Sequence, residues 1–490
     1  MRGLRRLLLA GCVLLAACSG PMDATPSGEP ITPDPSAWPD APTIPTSPMS
    51  SDVEEAVDRL VGGVSSGSPD PEDLATLAGS RDARLAWLLS DLLRLVVTPD
   101  AEAALVEAFR RLTGADPLDP RFGANAWLAV TNLLIGWDLP APPGYADHKA
   151  ALLLRLEPAW EPLFSDPDGT LDWRHVTWGG VFMDTRPAGS SEGCDRSCIP
   201  SLDDPALTSA ADGGWYPDDR TVFGIALNGD AVALPKHIME VHELVHLALG
   251  GRRIGIPYCT LCASAHAFFV DRVLPDGDPL VLRTSGLLSR SNKVMVDLVS
   301  GSAFHTFTGR AATGPLREAG VVLEPLTVTV TSWGDWRATH PDTRIVARDG
   351  GIGRSYPDDP LCGRDDAGPI FPTGPSDTRL PAQAAVIGVI GPGEQPVAFD
   401  VEAARAELAA GRPVAFGGVT VHDAGGLRVR DGDGREVTSH QSFWFAWSQF
   451  HPSTDLWAPA QAAAPAASPA PRTDAAEGCW QVIDPPGALP

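Results

Sequence analysis

An internal repeat constrains this chain more than any other feature. Trp336-Arg-Ala-Thr-His340-Pro341-Asp342-Thr343 recurs as Trp447-Ser-Gln-Phe-His451-Pro452-Ser453-Thr454. Upstream, Val222-Phe223-Gly224-Ile225 recurs as Val386-Ile387-Gly388-Val389, and a helical pattern follows each copy, over 236–249 and 401–410. Gly251-Arg-Arg-Ile-Gly-Ile is then echoed by Gly411-Arg-Pro-Val-Ala-Phe. Four matches in one order define two related β-rich units, 220–348 and 385–458, the second shortened. His340 and His451 appear in both copies, which favours a structural role in closing a turn.

The rest of the pattern predicts an α+β chain: an N-terminal helical domain followed by a mainly β domain with the internal repeat. In 51–160, apolar residues recur at helical spacing, as in Leu85, Leu88, Leu89, Leu92, Leu93 and Val96. A second such run, 101–112, has Asp100 as its expected N-cap and Gly114 beyond its end. From about 174 the period shortens. Val222–Leu227 and Ala231–Leu234 flank Asn228-Gly229-Asp230, a hairpin signal. Further strands are expected at 253–258, 265–270, 280–284, 293–298, 303–307 and 321–331.

The N-terminus carries an address. Arg2, Arg5 and Arg6 precede an apolar run over 7–17 that is too short to span a bilayer. The run ends in Leu15-Ala16-Ala17-Cys18, which resembles a bacterial lipobox. The expectation is a signal peptide over 1–18 and a lipoprotein anchored to a membrane by acyl chains on Cys18. It would sit in the cell envelope, facing the periplasm or the exterior. Residues 19–50 are rich in Pro, Ser and Thr and read as a disordered tether. Residues 459–490 read as a low-complexity tail. The formal charge of −25 argues against a nucleic-acid partner. The sequence identifies no protein or small-molecule partner.

Beyond Cys12 and Cys18 lie six cysteines, at 194, 198, 259, 262, 362 and 479. An even number in an oxidising compartment suggests disulfides. Cys259-Thr-Leu-Cys262 between two strands resembles a metal knuckle or a structural disulfide equally, with a redox pair the lesser reading, and Cys194 and Cys198 read as a local staple. His242-Glu243-Leu-Val-His246 matches the HExxH zinc-peptidase pattern, with Glu243 as general base. A third peptidase ligand is missing from its usual places: Leu249 and Arg252 stand where a metzincin has Gly and His. No Glu lies between 243 and 318, so Asp271 or His266 would have to serve. The preferred reading joins His242, Cys259 and Cys262 as metal ligands for zinc or copper. Glu243 then orients the imidazole, and His246 is at best a fourth ligand. A non-catalytic module with disulfide-bonded cysteines is the alternative, and no cofactor is certain.

These residues carry a family resemblance. Gly224-Ile225, Asn228-Gly229, His242-Glu243, Tyr258-Cys259-Thr260-Leu261-Cys262, Ser285-Gly286-Leu287-Leu288 and Trp336…His340-Pro341-Asp342-Thr343 together are similar to the domain of unknown function 3179 family over 174–348. Ile199-Pro200-Ser201-Leu202-Asp203 also resembles its opening segment. The family's pattern has Asn where this chain has His246, which lowers the peptidase reading. It has Pro at the position of Thr260. The resemblance implies a fold and a candidate site but no reaction.

Overall fold

The computed structural model describes residues 38–63, 69–96, 98–271, 273–274, 278–363 and 368–457. The signal peptide, Cys18, Cys479 and the tail from 458 onward lie outside the described residues. Among the described residues no helix is long and apolar enough to cross a membrane.

The chain is α+β, with helices gathered at the N-terminal side and sheets beyond. Helices Ser51–Gly62, Pro71–Gly79, Ala86–Leu95, Pro99–Thr113, Ala126–Gly136 and Tyr145–Leu156 enclose a core that includes Leu77, Trp87, Leu89, Leu105 and Phe109. The second apolar run starts two residues earlier than expected. Thr98, not Asp100, is its N-cap, accepting from the Ala101 amide at 3.3 Å, and Pro99 opens the first turn. Asp100 instead meets the positive end of the helix dipole. Gly114 closes the helix at φ 76°. Residues 38–50, read as part of the tether, have no helix or strand but dock on this domain. Trp38, Ile44 and Met49 pack against its core, and the Trp38 ring lies 5.4 Å from that of Phe122.

The repeat is a repeat of structure. In the first unit, strands Thr221–Leu227 and Asp230–Pro235 form a hairpin, and helix Lys236–His242 follows. Strand Thr329–Ser332, helix Trp333–Thr339 and strand Arg344–Val346 close the sheet, the last pairing parallel to Asp230–Pro235. The second unit repeats every step with Ala385–Ile390, Pro396–Asp400, Val401–Ala409, Ser439–Phe443, Trp444–Phe450 and Asp455–Trp457. The matched residues form one lock in each unit. A Cβ on Gly224 would overlap the Trp336 ring, and one on Gly388 the Trp447 ring. Each indole N–H donates to a threonine hydroxyl at 2.9 Å, Thr343 and Thr454 respectively. His340 stacks on Trp336 with ring centroids 3.8 Å apart, and His451 lies 4.2 Å from Trp447.

The largest departure from expectation falls on the HExxH segment. Its helix stops at His242, and Leu244–Leu249 is a strand, paired antiparallel with Arg252–Cys259 through Gly250 and Gly251. Both glycines have positive φ, 54° and 78°, as a two-residue hairpin turn demands. The apolar run is buried in its sheet, with Ala248 alone exposed. A strand uses such a run better than a helix that must also face solvent.

The units share a core in which Cys259, Cys262 and Phe307 of the first meet Val386, Trp444 and Trp447 of the second. The lock predicts a symmetrical result. Gly224→Ala and Gly388→Ala should each cost about 3 kcal/mol in urea unfolding, the upper range for overpacking, because neither indole has room to retreat. An unchanged midpoint in either variant would remove the lock from the account of the fold.

Candidate functional site

Glu243 decides the local geometry. It takes up the left-handed conformation, φ 51° and ψ 0°, which is costly for a residue with a side chain. The surroundings hold it there. Its amide donates to Met239 O at 2.7 Å and ends the helix, and its carbonyl accepts from the Tyr258 amide at 2.8 Å. Lys293 Nζ donates to the same carbonyl at 3.0 Å and pairs with Glu243 Oε2 at 2.5 Å. Thr260 Oγ1 donates to Glu243 Oε1 at 2.8 Å. One residue thus ties the helix end, the cysteine turn and strand Asn292–Asp297.

The cysteine turn is a tight hairpin. Strand Arg252–Cys259 runs into the turn Thr260–Cys262, Ala263 reverses the chain at φ 45°, and Ser264 pairs back with Cys259. Both cysteines are buried and unbonded, with sulfurs 2.7 Å apart. Cys262 Sγ also approaches Ser291 O at 3.2 Å and Asn292 Oδ1 at 3.1 Å, both acceptors. Burial pushes the Cys262 thiol well up, and the neighbouring Cys259 adds to this. Burial acts on Cys259 in the same direction. There it is outweighed by the hydrogen bond from Cys262 and the nearby Lys293 charge, so this thiol lies below its ordinary value. The pair is asymmetric: Cys259 is the better thiolate and Cys262 the proton holder.

His242 goes elsewhere. Its Nδ1–H donates to Pro200 O at 2.6 Å, and its Nε2 accepts from Tyr356 O–H at 2.7 Å. Burial lowers its pKa to about 4, so the ring is neutral and both nitrogens are engaged. His246, on the strand, donates through Nδ1 to Asp203 Oδ1 at 3.0 Å. Burial opposes ionisation of Asp203, but His246 and Arg283, the latter at 2.7 Å, hold its carboxyl well below the usual range. His242 and His246 therefore do not share a helix face, and the peptidase geometry is absent. Of the expected site, Glu243, Cys259 and Cys262 come together. Asp271 pairs with Arg252 at 2.8 Å, and His266 stacks on Phe268, so neither completes a zinc set.

Among the described residues, the group with three potential ligand atoms within 4.8 Å of one another is Asp184, Cys194 and Cys198. Cys194 and Cys198 form a disulfide, so their sulfurs are not thiolates there. Cys362 is also disulfide-bonded. Sequence reasoning missed Lys293, Tyr356 and Asn292. Lys293 had left a signal, being one of three lysines in the chain and set in an apolar strand.

The site is wired to the other parts of the molecule. Asn292, whose Oδ1 lies 3.1 Å from Cys262 Sγ, donates to Gln449 Oε1 of the second unit at 3.1 Å. Gln449 Nε2 donates to Thr373 O at 3.0 Å. The Thr373 amide donates to Asn132 Oδ1 in the helical domain, also at 3.0 Å.

Residues 196–425 match the family described as Protein of unknown function (DUF3179). The match over that segment agrees with the family resemblance carried by the sequence motifs. The matched segment takes in the cysteine turn, Glu243, Lys293 and Tyr356, but not the helical domain. Neither the curated proteins nor the solved structures contain a match.

Two outcomes are expected of this DUF3179 site. Lys293→Met should cost about 3–5 kcal/mol of stability, because it leaves a buried carboxylate unpaired. Adding Glu243→Leu to that variant should recover much of the loss, and two independent, additive losses would contradict the pairing. The second outcome concerns acid. Burial keeps His242 at about 4 and His266 at about 3, below the free-imidazole value of about 6.5. The unfolded chain takes up protons between these limits and the folded chain does not. Stability is therefore complete above about pH 6.5 and falls as pH drops toward 4, by about 2 kcal/mol per fully buried ring at pH 5. Equal urea midpoints at pH 7 and pH 5 would contradict the neutral burial of these rings.

Proposed function

We propose that this protein is an envelope lipoprotein, anchored through Cys18, whose DUF3179 domain carries a reversible dithiol at Cys259 and Cys262. The observation that carries the reading is the asymmetric pair of unbonded sulfurs beside the Lys293–Glu243 ion pair. A neighbouring ammonium favours a thiolate and disfavours a metal cation in the same place. The donor set expected from the sequence is also short for zinc, with two sulfurs and both His242 nitrogens engaged elsewhere.

The chemistry is thiol–disulfide exchange with a small disulfide as oxidant. Cys259 thiolate attacks one sulfur of the small disulfide, forming a mixed disulfide and releasing one thiolate. Cys262 then loses its proton and attacks Cys259 Sγ, closing the protein disulfide and releasing the second thiol. Oxidation removes the Cys262 proton and changes the contact of its sulfur with Asn292 Oδ1, 3.1 Å away, at the head of the chain of amides that reaches Asn132. The pair thereby reports redox state to the junction of the two units and the helical domain. Burial of both sulfurs favours this signalling role over turnover of a protein substrate. A permanently oxidised pair in a purely structural module is the second reading, favoured by the same burial.

Equilibration in glutathione buffers, acid quenching and alkylation in denaturant, read by site-resolved mass spectrometry, separates these readings. One two-electron transition confined to Cys259 and Cys262, and lost in Cys259→Ser, is expected. A pair that stays oxidised at every poise supports the structural module. A pair protected by stoichiometric zinc or copper restores the metal reading.

A further inference from the structure

The two β-rich units meet through histidines. His266 follows the cysteine hairpin of the first unit, its amide donating to Pro257 O at 2.9 Å. His440 lies on strand Ser439–Phe443 of the second. Their ring centroids are 4.2 Å apart, so imidazole packs on imidazole. Phe307 stands beside both, at 5.0 Å and 4.9 Å, and Trp447 lies 5.4 Å from His440. His451, at the end of helix Trp444–Phe450, stacks near Trp447 on the same side. The second unit is also what covers the thiols: Val386, Trp444 and Trp447 share their core, and Cys259 and Cys262 are buried by it.

This seam tolerates neutral rings and not charged ones. The Nε2 atoms of His266 and His440 are both buried, and neither has a hydrogen-bond partner among the described residues. An imidazolium would place an N–H donor there with no acceptor. No described carboxylate bears on either ring. The ionisable groups that do are His451 for His266, and His266 and His451 for His440, so each charge would repel the next. Strand Ala385–Ile390, strand Ala267–Phe269 and helix Trp444–Phe450 carry no ionisable side chain. The stretch leading to Phe307 brings His305 with Arg310 beside it, again basic. Strand Arg252–Cys259 brings Tyr258 and the thiols. Its far end holds Arg252 and Arg253, paired with Asp271 and Asp204, and Glu324 lies near Arg252. Burial lowers His266 to about 3 and His451 to about 4, and holds His440 well below its ordinary value.

We propose that the contact between His266 and His440 is an acid-sensitive latch over the thiols, whose protonation parts the second unit from the cysteine hairpin and admits a small disulfide to Cys259 and Cys262. The latch regulates that site, and in this it rests on the dithiol reading. Once the units part, the imidazoles recover an ordinary pKa of about 6.5. Opening takes up one proton for each ring freed. The open fraction therefore grows as pH falls below about 6.5, by about 25-fold between pH 7 and pH 5 for each ring. The opening is local: it precedes unfolding of the chain, because only the seam and not the helical domain has to give way.

The test uses the full chain without its signal peptide. Amide hydrogen exchange of segments 264–269 and 439–450 is read by mass spectrometry from pH 7 to pH 5 and corrected for the intrinsic rate. Protection there should fall by at least about 25-fold, while the N-terminal helices stay protected and circular dichroism is unchanged. His440→Phe keeps a ring in the contact but cannot take up the proton, so it should shrink the acid response by about 25-fold. Reaction of the thiols with dipyridyl disulfide, divided by that of glutathione at the same pH, should rise in parallel in the unmodified protein. Thiol titration in denaturant keeps the two readings apart. Absent thiols refute the dithiol, whereas the amide readout does not depend on them. Protection that is flat from pH 7 to pH 5, an acid response undiminished in His440→Phe, thiol reactivity that stays constant while the seam opens, or loss of the whole fold over the same range would overturn the latch.

Discussion

The ion pair between Lys293 and Glu243 is the interaction on which the rest of the family domain depends. Glu243 stands at the point where a helix becomes a strand, in a backbone conformation that its own side chain disfavours. Lys293 compensates by binding both its carboxylate and its carbonyl. The strand after Glu243 then runs in the direction that pairs it with Arg252–Cys259, and that partner delivers the cysteines back to the starting point. Charge, strain and thiol chemistry occupy one small volume because one carboxylate serves all three. The arrangement also explains why His242, next in sequence, is absent from it. A left-handed residue turns its neighbours' side chains to different sides, and His242 is left facing Pro200 and Tyr356.

The two units divide the work. Both keep the glycine, the tryptophan and the threonine that seat the closing helix on the hairpin. Only the first carries the cysteine turn. The second contributes Gln449 and an aromatic wall instead, so it completes a site whose reactive atoms it does not supply. A duplicated scaffold can diverge in this way because its packing rule is steric and local, whereas the chemistry rests on residues that the rule leaves free.

The legible parts of the fold were those governed by such local rules. The Gly–Trp–Thr spacing announced the repeat, apolar periodicity announced the helices, and Asn228-Gly229 announced its hairpin. Leu244–Leu249 was misread because a short apolar run fits helix or strand equally, and the HExxH pattern tipped the balance. Gly250-Gly251 between two apolar runs was the available counter-signal. The conformation of Glu243 had no signature at all, since a left-handed residue with a side chain is chosen by its tertiary partners. Those partners are distant in sequence: Lys293 lies 50 residues away and Tyr356 lies 114 from His242. Within the candidate site, the cysteines and Glu243 were found by motif. Their electrostatic setting was not, because it is assembled from strands that only the fold brings together.

The scarcity of lysine gives the buried pairs a chemical consequence. Of the three lysines, Lys149 and Lys293 are enclosed within the protein, each bound to a carboxylate. Lys236, on the short helix that leads to Glu243, is the one whose side chain reaches solvent appreciably, at 42%. Reagents and enzymes that acylate or cross-link side-chain amines therefore meet a surface with a single handle, two turns of helix from Glu243. A label placed there would watch the candidate site from outside without touching it.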